Sequence, residues 1–149
     1  MKRNIITQNG ELHLGGVAAS ALAREYGTPL YVMEEEKVRR NMRAFRDSME
    51  KYYGRGLVCY ASKAFCCKEI YRIAKAEGLG VDVVSLGELY TARCADFPME
   101  KVCFHGNNKS EEELRAALEY GVGRIVADNL PELECPRLYP SREFMPSFR

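Results

Sequence analysis

The sequence predicts an α/β fold built on a parallel sheet, and three observations carry that prediction. Short apolar runs begin at residues 29, 57, 80, 101 and 124. Each is followed by a loop and then a helical stretch that ends at glycine or another breaker. The runs are short and apolar, as expected of strands covered on both faces. Strands alternating with helices at this interval are βαβ units. A doubly wound sheet and a β/α barrel both satisfy the pattern.

The first run is Pro29-Leu30-Tyr31-Val32-Met33. Behind it Val38, Met42, Phe45 and Met49 recur at spacings of four, three and four, one face of an amphipathic helix that Gly54 and Gly56 stop. The second run is Leu57-Val58-Cys59-Tyr60, with a helix through Ile70, Ile73 and Ala74 ending near Gly78. The third, Gly80-Val81-Asp82-Val83-Val84, leads to a helix through Leu89 and Ala92, where Ser85 and Glu88 have capping-box spacing. The fourth, Lys101-Val102-Cys103-Phe104, precedes a second such pair, Ser110 and Glu113, and a helix carrying Leu114, Ala117 and Leu118. The fifth is Arg124-Ile125-Val126-Ala127, and Asp128 is placed to cap the helix after it.

The ends differ from this repeat. Residues 1–28 form a lead-in: a weak strand at Glu11-Leu12-His13-Leu14, a turn at Gly15-Gly16 and a short helix through Val17, Leu22 and Ala23. Residues 29–134 hold the repeat. Residues 135–149 (CPRLYPSREFMPSFR) break it with three prolines and no aliphatic periodicity. This tail reads as the product of a shifted or truncated frame.

Composition excludes several classes. The chain has 149 residues, 46% hydrophobic and 29% charged, with a net charge of +1. That balance suits one globular domain and points to neither nucleic acid nor an anionic membrane as partner. No run is long enough to span a bilayer, and no apolar signal core follows the N-terminal Met1-Lys2-Arg3-Asn4, so a cytoplasmic location is expected. Six cysteines, at 59, 66, 67, 94, 103 and 135, form no C-x-x-C pair. With only His13 and His105 beside them, they read as reduced thiols, and no metal site is expected.

The candidate chemistry lies just after the strands. Lys63 follows the second run in Tyr60-Ala61-Ser62-Lys63-Ala64. Asp82 and Ser85 end the third, and His105 and Asn107 follow the fourth. In a β/α barrel, reactive side chains emerge at the C-terminal ends of strands, so three successive strands deliver polar groups to one rim. A lysine that forms a Schiff base must lose its proton, which partial burial against apolar walls favours. A solvated loop lysine fits the same spacing.

These segments resemble a known family. Tyr60-Ala61-Ser62-Lys63-Ala64 is similar to the cofactor-lysine motif of the fold-type III pyridoxal-phosphate (PLP) decarboxylases. Residues 81–89 (VDVVSLGEL) resemble the family's next motif. Residues 104–110 (FHGNNKS) resemble a stretch typical of the branch acting on diaminopimelate, and residues 27–32 (GTPLYV) resemble that branch's entry into its barrel. The resemblance runs from about residue 12 to residue 134.

The resemblance implies a partial (β/α)8 barrel of about five βα units and decarboxylation of meso-2,6-diaminopimelate to L-lysine and CO2. Sister enzymes acting on ornithine, arginine or carboxynorspermidine, or a non-catalytic PLP-binding remnant, are the alternatives. Lys63 would carry PLP as a Schiff base, with Ala61, Asp82, Glu88 and His105 as cofactor-site residues. Asp82 would hold the lysine or a water, or cap a helix; Glu88 fits a family acid and a capping box equally; His105 lines the pocket or bonds backbone. Asn107 and Asn108 contact the site or make turns, and Leu86 stands where the family often has glycine. The partner implied is a small amino-acid substrate, and the full-length family enzymes are homodimers. Several family parts fall beyond this sequence: the glycine-rich phosphate loop, the acid that pairs with the pyridine nitrogen, and a later ring-stacking histidine. The polypeptide alone is therefore not expected to be active.

Overall fold

The computed structural model describes residues 6–8 and 10–133. The tail at 135–149, expected to break the repeat, lies outside the described residues, and Cys135 with it. Two sheets form. The first is antiparallel, in the order β1 (Ile6–Gln8), β2 (Glu11–Leu14) and β3 (Val17–Ala18). The strand expected at residues 11–14 is β2. Residues 17–18, expected to begin a helix, instead pair with β2 after the Gly15-Gly16 turn, so helix α1 starts later, at Ala19–Tyr26. Backbone pairing across the turn outweighs the helical spacing there.

The second sheet is parallel, in the order β4 (Cys59–Ala61), β5 (Gly80–Val83), β6 (Val102–Phe104) and β7 (Arg124–Ile125). These are the second to fifth expected strands. Each strand pairs with the next in sequence, with no reversal of order. A doubly wound sheet needs a point where the order reverses. Sequential order is the order of a barrel wall, so the described strands agree with the barrel alternative.

Helices α2 (Glu35–Tyr53), α3 (Lys68–Ala76), α4 (Leu86–Cys94) and α5 (Glu111–Glu119) follow, with a short α6 (Leu130–Leu133). The parallel register fixes which side chains share a face. Val81, Val83, Val102 and Phe104 are at most 1% exposed and pack with Ile70, Ile73 and Ala74 of α3, Leu89 and Ala92 of α4 and Ala117 of α5. The opposite face carries the row Ala61, Asp82, Cys103 and Arg124, none of it fully buried. Cover on both faces was expected; among the described residues helices cover one face, while on the other Ala61, Asp82 and Cys103 are half-buried and Arg124 is exposed.

Residues 29–33 form no ladder, against the expectation of a first barrel strand. Tyr31 is fully exposed and Leu30, Val32 and Met33 are 40–51% exposed. An apolar run becomes a strand only where a neighbour satisfies its backbone, and none of the described strands pairs with it. The helix behind it forms as expected, although only Met42 of its apolar stripe is buried and Phe45 is 71% exposed.

An ion cluster anchors α2. Arg39 and Arg43 reach the carboxylate of Glu77 at 3.0 and 2.9 Å, and Arg46 donates to the Glu77 carbonyl at 2.9 Å. Glu77 caps the C-terminus of α3, where the carbonyl-rich end of a helix favours cations. The neighbouring guanidiniums of Arg43 and Arg39 hold its carboxyl below the usual value. At the same N-terminal end of the sheet, Gly123 donates to the Met99 carbonyl at 3.0 Å. A Cβ on Gly123 would fall 1.9 Å from the Glu100 carbonyl oxygen, so only glycine lets the two segments approach this closely.

Candidate active site

The C-terminal ends of the parallel strands form the rim on which the candidate residues stand. β4 runs directly into a 3-10 turn, Ser62–Ala64, and Lys63 lies at its centre. Lys63 is exposed, as the solvated-loop alternative has it and not as partial burial against apolar walls would. The tight turn lifts the side chain out of the sheet before α3 can cover it. Ser62, its neighbour, is fully buried, and its Oγ makes no hydrogen bond of ordinary geometry among the described residues.

Beneath this turn lies Tyr71, whose hydroxyl donates to the Glu88 carbonyl at 3.2 Å and sits 3.5 Å from Cys66 Sγ. Burial pushes the phenol's pKa upward, with the nearby Ser62 hydroxyl opposing that effect. Tyr71 therefore remains a neutral donor, and it ties the lysine turn to α4. Sequence reasoning missed it because a tyrosine in a helical apolar stripe reads as core.

Asp82 is half-buried on the face opposite the helices, directly between Ala61 and Cys103 in the cross-strand register. Burial raises the Cys103 thiol, and the Asp82 charge adds to the shift while Arg124 opposes it. Cys59 behaves alike, with burial first, then Cys103 and Asp82. Both thiols stay protonated at neutral pH, so neither is an activated nucleophile. The face opposite the helices thus presents one carboxylate, one guanidinium and two neutral thiols. Among the described residues no three metal-ligating groups come together.

Glu88 is engaged structurally. Its backbone N–H donates to Ser85 Oγ at 3.3 Å, as the capping spacing predicts. Its carboxylate, however, accepts from Val84 N at 2.7 Å, one residue before the cap. Glu88 therefore holds the Val84–Ser85 link of the rim. His105 is exposed, and its N–H donates to the Val83 carbonyl at 2.9 Å, which extends the β5–β6 ladder to the rim. Asn107 and Asn108 are exposed in the loop behind it. Ser110 and Glu113 form a complete capping box, and Glu113 also accepts from Leu86 N at 3.0 Å, joining α5 to α4. The last expected cap shifts by one: Asn129 Oδ1, not Asp128, accepts from Glu132 N at 3.0 Å. Asp128 instead gives its N–H to the Glu132 carboxylate.

A parallel sheet in sequential order with a lysine at its C-terminal rim defines a class, and comparison with known proteins names it. The family model described as "Pyridoxal-dependent decarboxylase, pyridoxal binding domain" matches residues 35–143, and the chain belongs to this family. Within the family its resemblance is to diaminopimelate decarboxylases. It is 50% identical over 126 residues to that of Bacillus subtilis and 47% identical over 129 residues to that of Bacillus methanolicus, covering 85% and 87% of this chain. The matches span 29% and 30% of those proteins, so the chain corresponds to about a third of its relatives' length. The crystal structure of diaminopimelate decarboxylase from M. jannaschii in co-complex with L-lysine superposes with a TM-score of 0.78 at 35% identity, covering 87% of this chain and 31% of that one. The partial barrel and the PLP-dependent carboxy-lyase family expected from the sequence are both borne out.

Proposed function

We propose that this chain supplies the lysine-bearing part of an active site that converts meso-2,6-diaminopimelate to L-lysine and CO2. The observation that carries the reading is the position of Lys63 at the end of β4, with Asp82 and His105 at the ends of the next two strands. The identity to diaminopimelate decarboxylases over most of the chain supports the substrate.

The residues present fit a carbonyl-bearing cofactor. An exposed primary amine stands at the rim, next to the buried Ser62, whose hydroxyl makes no hydrogen bond of ordinary geometry among the described residues, and near a sheet face holding one carboxylate. PLP, when bound, supplies an electron sink for the pair left behind as a carboxylate departs. Lys63 Nζ is the atom that holds the cofactor and later carries a proton. Asp82, the cross-strand neighbour of Ala61, orients that amine or a water. Glu88 keeps the Val84–Ser85 loop in place from below, and His105 flanks the site at the end of β6.

We also propose a homodimeric, cytoplasmic full-length enzyme, in which residues 1–28 lead into the barrel segment 29–134. No helix among the described residues is long and apolar enough to cross a membrane. To test the cofactor reading, the purified chain is mixed with PLP, reduced with borohydride and mapped by mass spectrometry. Label at Lys63, lost in Lys63→Ala, is expected; a chain that takes up no label at Lys63 sinks the proposal. CO2 release by the full-length protein from diaminopimelate and from ornithine then separates the substrates.

A further inference from the structure

Lys109 and Glu132 form an ion pair at 2.9 Å with side chains only 1% and 7% exposed. Lys109 lies in the loop after β6, and Glu132 lies in α6, after β7. The Lys109 amine also donates to the Gly106 carbonyl within its own loop. The Glu132 carboxylate also accepts from Asp128 N at 3.1 Å and from Asn129 Nδ2 at 3.0 Å. Each charge is thus bonded to its own loop and to the other's.

A buried pair of this kind is weak evidence for stability, because desolvation offsets most of the attraction. What it adds is fixed geometry between two segments. The loop from His105 to Ser110 is held at one end by the His105 N–H on Val83 and at the other by the Ser110 capping box. Near its start it approaches the residue just past β5: a Cβ on Gly106, where φ is +127°, would meet the Val84 carbonyl oxygen at 3.4 Å. The Lys109 amine fixes this part and couples it to the next βα unit.

We propose that the Lys109–Glu132 pair is a positioning device that sets where His105, Asn107 and Asn108 stand at the rim. Its effect on cofactor capture rests on the reading of Lys63 given above; its effect on the loop does not.

The test uses the full chain and three variants: Lys109→Met, the neutral double variant Lys109→Met/Glu132→Gln, and Glu77→Gln as a control at the opposite end of the sheet. The first readout is amide hydrogen exchange at residues 105–108 against residues 81–83. Exchange at 105–108 is expected to rise about tenfold or more in both Lys109 variants, with 81–83 unchanged. Glu77→Gln is expected to show no such local rise. The double variant leaves no buried unpaired charge, so it separates lost positioning from a failure to fold. Exchange at 105–108 that stays at the wild-type rate in the double variant, or rises equally at 81–83, overturns the proposal.

The second readout is borohydride-fixed PLP at Lys63. Both Lys109 variants are expected to need at least about threefold more PLP for half-labelling, and Glu77→Gln the wild-type amount. Local loosening with unchanged labelling removes the link to cofactor capture. A wild-type chain that takes no label overturns the cofactor reading, and exchange alone then decides the positioning proposal.

Discussion

Two apolar runs of similar composition have opposite fates in this molecule. Val102-Cys103-Phe104 becomes β6, with ladders on both sides and both outer side chains at most 1% exposed. Leu30-Tyr31-Val32 pairs with no described strand and leaves Tyr31 fully exposed. Apolar content qualifies both runs as strands. The difference is that β6 lies between β5 and β7, with α4 and α5 packed over one face, whereas the free edge of β4 borders an apolar cavity of about 390 Å³ that Met33 and Phe45 help to line. Strand formation depends on neighbours as well as on the residues themselves.

The comparison can be broken by mutation. Phe104→Ala removes a fully buried ring and is expected to destabilise the chain by about 3–5 kcal/mol, read from the urea midpoint. A loss below about 1 kcal/mol would mean that β6 is no better packed than residues 30–32. Glu77→Gln, which weakens the grip of α2 on α3, is expected to cost about 1–3 kcal/mol in the same measurement.

Acid probes the same anchor. The carboxyls of Glu77 and Glu113 are both held below their ordinary value of 4.5, the first by Arg43 and Arg39 and the second chiefly by the Ser110 backbone N–H. The unfolded chain therefore binds these protons at higher pH than the folded one. The stabilisation is complete above about pH 4.5 and is lost as pH falls through the lower folded values. A urea midpoint that is level from pH 7 to about 5 and drops below that is expected, and Glu77→Gln should flatten the drop. At the small end, Tyr31→Ser is expected to change stability by no more than about 0.5 kcal/mol. A larger loss would show that residues 29–33 are packed in solution.

How far the sequence anticipated the structure follows from the range of the interactions. The Ser110–Glu113 capping box was legible because it depends on residues three apart in the chain, and the four ladder strands because each apolar run recurs at the βα interval; the same signal at 29–33 gave no strand. Glu88 was half legible: spacing foretold its backbone bond to Ser85, but its carboxylate turned to Val84, a choice set by the strand end above it. Asp128 and Asn129 are adjacent cap candidates, and only the folded turn selects between them. Lys63 was located on the rim, and its exposure matches the solvated-loop alternative, but the 3-10 turn that carries it has no periodic signature. The grouping of Arg39, Arg43 and Arg46 on Glu77, and of Lys109 with Glu132, joins elements far apart in sequence, and no local pattern marks such partners. The family motifs pointed to Lys63, Asp82 and His105, each of which lies at or just past a strand end.

The sequential order of the parallel strands also bears on how the chain acquires its structure. Each parallel ladder joins a strand to the one synthesised just before it, across a single intervening α-helix. A newly emerged strand thus finds its template already in place and need not wait for distant sequence. The sheet can be laid down in the direction of translation, one unit at a time, and the entropic cost of each addition is that of closing a short loop.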